Sequence, residues 1–196
     1  MTADSKAKND KVISGTPTMK VLVVGRASVG KSNIISRYIA SKFEHSYSRT
    51  SRCQIGVKFV AVPEAICLQL WDIPESTADR LMRAYVKNAD GVIVVTDTTE
   101  PITFRAILQW RKRLQAALGK EKGSTFPMLL LGNKSESDAC VMDETEIDLS
   151  VKSFGLTGGY LVSAANNLAL DKAMDGFAHT IATSSEFQSK SSDIEE

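Results

Sequence analysis

Four consecutive apolar residues, a glycine, four further residues and then Gly-Lys-Ser leave a chain few folds to adopt. Residues 21–32 read VLVVGRASVGKS, in which Gly25, Gly30, Lys31 and Ser32 satisfy G-x-x-x-x-G-K-[ST]. The apolar run in front, residues 21–24, is what a buried parallel strand requires. The glycines let backbone N–H groups, those of Ser28 and Val29 included, turn inward around phosphate oxygens. The helix that follows offers its positive N-terminus, Lys31 a mobile cation and Ser32 a hydroxyl for Mg²⁺. The segment predicts a strand, a phosphate-binding loop and a helix start.

The remainder of the chain alternates in the same manner. Residues 1–18 are polar and without periodicity, and are expected to form a disordered arm ahead of a domain spanning 19–183. Ile34, Ile35, Tyr38 and Ile39 recur at helical spacing over about 31–42. Val57, Phe59 and Ala61 alternate with Lys58 and Val60, and Ile66, Leu68 and Leu70 follow after Pro63-Glu64, a two-strand hairpin. A short helix carries Leu81, Met82 and Tyr85, GVIVVT at 91–96 is a buried strand, and Pro101 and Thr103 open a helix that ends at Gly119. MLLLG at 128–132, a helix through Ile147, Val151 and Phe154, a strand at 160–162 and a striped helix from Leu170 to Ile181 complete the pattern. Residues 184–196 are polar and acidic and are expected to be a flexible tail. The predicted fold is α/β, a six-stranded, mostly parallel sheet with one antiparallel edge and helices on both faces.

Composition narrows the function classes. A net charge of +1 over 196 residues gives no basic field for nucleic acid. Cys53, Cys67 and Cys140 form no C-x-x-C pair, which points to a reducing compartment and no zinc site. No apolar run reaches the length of a membrane span and residues 1–19 are not signal-like. In a doubly wound sheet ligands bind at the carboxyl ends of strands, and the polar motifs lie there. Asp72 follows Trp71 at the end of the third strand, placed to hold an Mg²⁺ water; Gly132-Asn133-Lys134-Ser135-Glu136 ends the fifth, and Ser163-Ala164-Ala165 the sixth.

These residues together resemble a small Ras-like GTPase, and within that superfamily a Rab, over residues 19–183. Asn133-Lys134-x-Glu136 is similar to the family's N-K-x-D guanine motif, with a carboxylate one methylene longer; Asp138 is the alternative acid. Ser163-Ala164-Ala165 resembles S-A-K, and Phe43, eleven residues after Ser32, matches the aromatic on the other side of the base. Ile55-Gly56-Val57-Lys58-Phe59 resembles the Rab signature I-G-V-D-F, and Phe59, Trp71 and Tyr85 match the three-aromatic surface that meets effectors, to which Ile55 is also assigned. Residues 154–159 and 168–174 look like the Rab branch serving lysosome-related organelles. The resemblance implies GTP/GDP and Mg²⁺ as ligands, with Ser32, Thr50 and Asp72 at the metal. It also implies effector and regulatory partners, a monomer, and a cytoplasmic protein peripheral on endomembranes.

Three departures qualify it. Where the family reads D-x-x-G-Q, this chain has Asp72-Ile73-Pro74-Glu75-Ser76, without the glycine that contacts the γ-phosphate or the glutamine that orients water. Glu75 or Ser76 stands in the glutamine's region, so no catalytic residue is assigned and hydrolysis is expected to be weak. Thr50 has the family spacing of eighteen residues from Ser32, but I-G-V-K-F starts five residues later instead of one. Either the loop bulges and Thr50 reaches the metal, or Gln54 takes its place. No cysteine follows Cys140 and residues 193–196 are acidic, so no stable lipid anchor is expected. Two rivals stay open: a degenerate, nucleotide-insensitive interaction module, and a P-loop kinase for a small metabolite, for whose acceptor pocket and lid the chain has no spare segment.

Overall fold

The computed structural model describes residues 16–46, 48–61, 64–119 and 126–192. Six strands form one sheet: β1 (Thr18–Gly25), β2 (Gln54–Ala61), β3 (Ala65–Asp72), β4 (Gly91–Asp97), β5 (Met128–Asn133) and β6 (Gly158–Leu161). Their order across the sheet is β2-β3-β1-β4-β5-β6. β1 pairs in parallel with both β3 and β4, β4 with β5 and β5 with β6, while β2 runs antiparallel to β3 at the edge. The helices are α1 (Lys31–Ala40), α2 (Asp79–Val86), α3 (Arg105–Leu118, entered through a 3₁₀ turn at Pro101–Phe104), α4 (Glu144–Phe154), α5 (Leu170–Ala182) and α6 (Ser185–Ser192). The expected fold is the one observed. Most of residues 1–18 lie outside the described residues, and Thr18 opens β1.

Period-two alternation along the central strands divides the core in two. Val21 and Val23 of β1 with Ile93 and Val95 of β4 face α1 and α5, packing on Ile34, Ile35, Met174 and Phe177. Leu22 and Val24 with Val92 and Val94 face the other way, onto Met82 of α2, Ile107 and Trp110 of α3 and Ile147 of α4. Because both faces are covered, the central strands read as unbroken apolar runs.

The C-terminal segment departs from expectation. Residues 185–192 form α6 rather than a loose tail, with Phe187 buried in the α1/α5 core layer and Lys190 Nζ 2.9 Å from Asp90 Oδ1. One large apolar side chain in eight residues is too sparse a pattern to read as a helix, so tertiary packing supplies its stability. Residues 193–196 lie outside the described residues. Phe187→Ala should therefore lower unfolding free energy by about 3 kcal/mol, the low end for truncating a buried phenylalanine, read from the chemical denaturation midpoint. A truly frayed tail would show no change.

Candidate functional site

At the carboxyl ends of the strands lies a cleft of about 630 Å³, running from the loop 26–32 to Phe43, Asn133, Lys134, Glu136, Ala164 and Ala165. The phosphate-loop end is set by backbone strain only glycine accepts. Gly30, the N-cap of α1, has φ 96°, and a Cβ there would lie 2.3 Å from Asn133 Nδ2. At Gly25, φ 151°, a Cβ would meet the Val95 carbonyl oxygen at 2.3 Å.

Lys31 is buried, its Nζ donating to the carbonyls of Arg26 (2.8 Å) and Gly25 (3.2 Å). Burial pulls its pKa down, and the charges of Asp72 and Glu75 act against that. Asp72, buried at the end of β3, is pushed the other way: burial raises its carboxyl above the ordinary carboxylate range, against the lowering effects of Ser32, Lys31 and Thr50. Two ionisable groups of opposite sign are thus desolvated at one end of a cleft, and each gains from a counter-charge delivered there.

Ser32 Oγ donates to Asp72 Oδ2 at 2.5 Å and lies 3.0 Å from Thr50 Oγ1, while Asp72 Oδ1 is buried and has no hydrogen-bond partner among the described residues. Two hydroxyls and an orphaned carboxylate oxygen form a set of hard oxygen donors, which fits Mg²⁺. Gln54 also lines the cleft, but it opens β2 opposite Asp72 in the strand register, and the threonine is the residue that meets Ser32.

The other end is joined to the phosphate loop by one side chain. Asn133 Nδ2 donates to the Val29 carbonyl at 2.9 Å, and its Oδ1 accepts from the Ala164 N–H at 3.1 Å. Lys134 takes φ 68° and its Nζ lies 2.5 Å from Asp97 Oδ2. Glu136 is exposed and lines the cleft, whereas Asp138 is not among the lining residues. Ser163 is fully buried, its Oγ accepting the Asn166 N–H. Ala164 is buried and Ala165 half-buried at the cleft wall.

Two residues absent from the motif reading hold this end together. Arg37 of α1 donates from Nε to the Ala164 carbonyl (2.7 Å) and from Nη2 to the Ala165 carbonyl (2.8 Å), and its guanidinium lies 5.8 Å from the Phe43 ring centroid. Asp97, buried at the end of β4, pairs with Lys134 and accepts from the Thr99 N–H and hydroxyl. The position of Asp97 at a strand's carboxyl end was the available signal for it; Arg37 sits mid-helix and carried none. Arg37→Ala, leaving two carbonyls and Phe43 without their anchor, should speed nucleotide dissociation by about tenfold, measured by fluorescent-nucleotide chase.

After β3 the chain turns sharply. Pro74 is buried, and Thr77 closes the turn onto the Pro74 carbonyl through its N–H (3.1 Å) and hydroxyl (2.7 Å). Glu75 reaches back to the phosphate loop, where its Oε2 accepts the Ala27 N–H at 2.9 Å and its Oε1 lies 3.6 Å from Arg26 Nε. Ser76 lines the cleft beside it.

The expected aromatic surface is only partly assembled. Trp71 and Tyr85 pack with their rings tilted 60° and 6.0 Å between centroids, and Lys20 Nζ covers the Trp71 ring at 4.1 Å. Phe59, however, lies opposite Cys67, and it is Ile55 that stands across from Trp71. Four residues of strand separate Ile55 from Phe59 by about 13 Å. Ile55, Val57 and Phe59 form an exposed stripe on the edge strand, with the Trp71–Tyr85 pair adjoining its Ile55 end. The same register removes the need for a bulge, because Thr50 meets Ser32 just ahead of where β2 begins.

A parallel sheet, a phosphate loop after its first strand and a side chain binding that loop to the ends of β5 and β6 define a P-loop nucleotide-binding fold. The model of the Ras family matches residues 20–183, and the chain belongs to this family, as a divergent, Rab-like small GTPase. It is 34% identical over 158 residues to Ras-related protein Rab-32 of Mus musculus, covering 79% of this chain and 71% of that protein. It is 32% identical over 158 residues to Ras-related protein Rab-7L1 of Rattus norvegicus, covering 79% of this chain and 78% of that one.

Proposed function

We propose that this chain is a guanine-nucleotide-binding protein of membrane trafficking that holds GTP or GDP with Mg²⁺ and hydrolyses GTP very slowly. The observation that carries the reading is the pair of hydrogen bonds made by the Asn133 side chain, which ties the phosphate loop to the base end. Ser28, Val29, Gly30, Lys31 and Ser32 take the phosphates, with Gly25 allowing the turn. Phe43, Lys134, Glu136 and the 163–165 loop take the base, and Ser32, Thr50 and Asp72 take the metal. The stripe Ile55–Val57–Phe59 with Trp71 and Tyr85 is the surface offered to effector and regulatory proteins, the monomer meeting endomembranes through them. Among the described residues no helix is long and apolar enough to cross a membrane.

A second reading keeps nucleotide binding but not switching. The buried Pro74 and the tethered Glu75, in place of a glycine and a glutamine, favour a fixed interaction module. Protein capture on beads loaded with the full chain in its GDP and GTP-analogue forms separates the two. The switch predicts partners retained by one form only, and identical partners in both forms exclude it.

Glu136 supports a test of the base end. Its carboxylate is one methylene longer than aspartate, costing on the order of 1 to 2 kcal/mol of guanine discrimination. Glu136→Asp should tighten GDP correspondingly in competition titration; unchanged or weaker GDP binding would move the role to Asp138.

A further inference from the structure

We propose that Glu75 is a specificity-determining residue that sets this site against a third phosphate, so that the nucleoside diphosphate is the form the protein retains. The proposal rests on the guanine-nucleotide reading above and adds a preference to it.

The direction of the cleft comes first. Its base end lies at Phe43, Asn133 and Ala164, and its far end is lined by Ala27 of the phosphate loop together with Pro74, Glu75 and Ser76. In a P-loop the backbone N–H groups at the helix start cradle the first two phosphates, and the lysine reaches the second and third. A diphosphate therefore finishes near Gly30, Lys31 and Ser32, and a third phosphate extends towards Ala27.

The far end already holds an anion. Glu75 Oε2 accepts the Ala27 N–H at 2.9 Å, the kind of inward-turned donor that a phosphate oxygen would use, and Oε1 lies beside the Arg26 guanidinium at 3.6 Å. A third phosphate would have to displace the carboxylate from this donor and from Arg26, or accept it as a like-charged neighbour. Lys31 offers a single ammonium, which already donates to the Arg26 and Gly25 carbonyls and lies under the charge of Asp72 as well as Glu75.

The carboxylate is also held in place by its backbone. Ile73 is fully buried and its N–H donates to the Val23 carbonyl at 3.0 Å. On the other side, Thr77 closes on Pro74, and Arg113 of α3 donates to the Thr77 carbonyl and pairs with Asp79 at 3.0 Å. Swinging Glu75 away by moving the main chain would break this set of contacts, so a triphosphate must displace the side chain alone. Both Glu75 and Arg26 are near half exposure, so solvent screening limits the preference to about tenfold rather than an absolute block.

The test is titration of the full chain with fluorescent GDP and with a fluorescent non-hydrolysable GTP analogue, both on the same preparation, for wild type, Glu75→Gln and Glu75→Ala. Wild type should bind GDP about tenfold more tightly than the analogue, and both substitutions should narrow the ratio to about threefold or less. Taking the ratio on one preparation cancels any loss of folded protein. Equal affinities in wild type, or a ratio that survives both substitutions, would overturn the proposal while leaving guanine-nucleotide binding intact. Failure of wild type to bind either nucleotide would overturn the underlying reading as well.

Discussion

Lys31→Ala should leave the protein folded but deprive it of nucleotide, with GDP affinity falling by at least about 100-fold, because charge-assisted bonds to phosphate oxygens are the strong ones in such a site. Lys31 is 7% exposed, and its ammonium is satisfied by two backbone carbonyls. Burial depresses its pKa, while the nearby acids Asp72 and Glu75 oppose that effect. An arriving diphosphate adds counter-charge in direct contact with this buried cation, beyond what the nearby acids already supply, and that is where much of the binding free energy originates. In the alanine variant the Gly25 and Arg26 carbonyls lose a donor and Asp72 loses a cation, so the empty protein should be no more stable than wild type. Equilibrium titration with fluorescent GDP, beside a thermal melt of nucleotide-free protein, measures both quantities. GDP affinity within about threefold of wild type would place phosphate recognition elsewhere in the molecule.

The second large effect concerns turnover. Phosphoryl transfer to water depends on positioning that water and on stabilising charge spread over the transferred group. Neither need is met by the segment after β3. Ser76 is too short to reach across, and Glu75, which has the reach, is an acceptor-only anion engaged with Ala27 and Arg26. A carboxylate beside the γ-phosphate raises the energy of an already anionic transition state. Intrinsic hydrolysis is therefore expected at or below the roughly 10⁻⁴ s⁻¹ of unassisted Ras-like proteins, and an activator contributing only an arginine should rescue little of it. A partner would have to bring a glutamine as well. Single-turnover hydrolysis of γ-labelled GTP is the assay. A rate near 10⁻² s⁻¹, roughly that of a G protein with its arginine in place, would show that another residue orients the water; loss of that rate in Lys31→Ala and its retention in Glu75→Ala would assign the activity to this cleft but not to this acid.

Local chemistry explains what could be read from the residues alone. The phosphate loop, Asn133 and the 163–165 loop stand at strand ends, where a short motif and its flanking apolar run specify both conformation and location. The central strands were legible because burial on two faces leaves unbroken apolar runs, and α5 because its seven buried residues form one stripe. Contacts across the fold left no such mark. The guanidinium of Arg37 reaches residues 127 and 128 positions away, and an arginine among helical residues looks the same whether it faces solvent or a loop. Phe187 packs α6 onto the core through a single side chain, which periodicity cannot register. The edge hairpin was legible as two alternating runs, but its register was not: pairing with β3 decides it, and puts Ile55 rather than Phe59 beside Trp71. That pairing also bears on the choice between Thr50 and Gln54, which spacing left open. The pairing of Arg26 with Glu75, 49 positions later, is another contact across the fold that leaves no local mark.

The central claim is that the cleft was built for a guanine nucleotide. The most direct measurement is the nucleotide content of the full chain, purified with Mg²⁺ throughout, denatured, and its released ligand separated by ion-exchange chromatography. The account predicts close to one mole of guanine nucleotide per mole of protein, lost in Lys31→Ala. Adenine nucleotide in that amount, or no nucleotide from wild-type protein together with no uptake of added GDP, would contradict it.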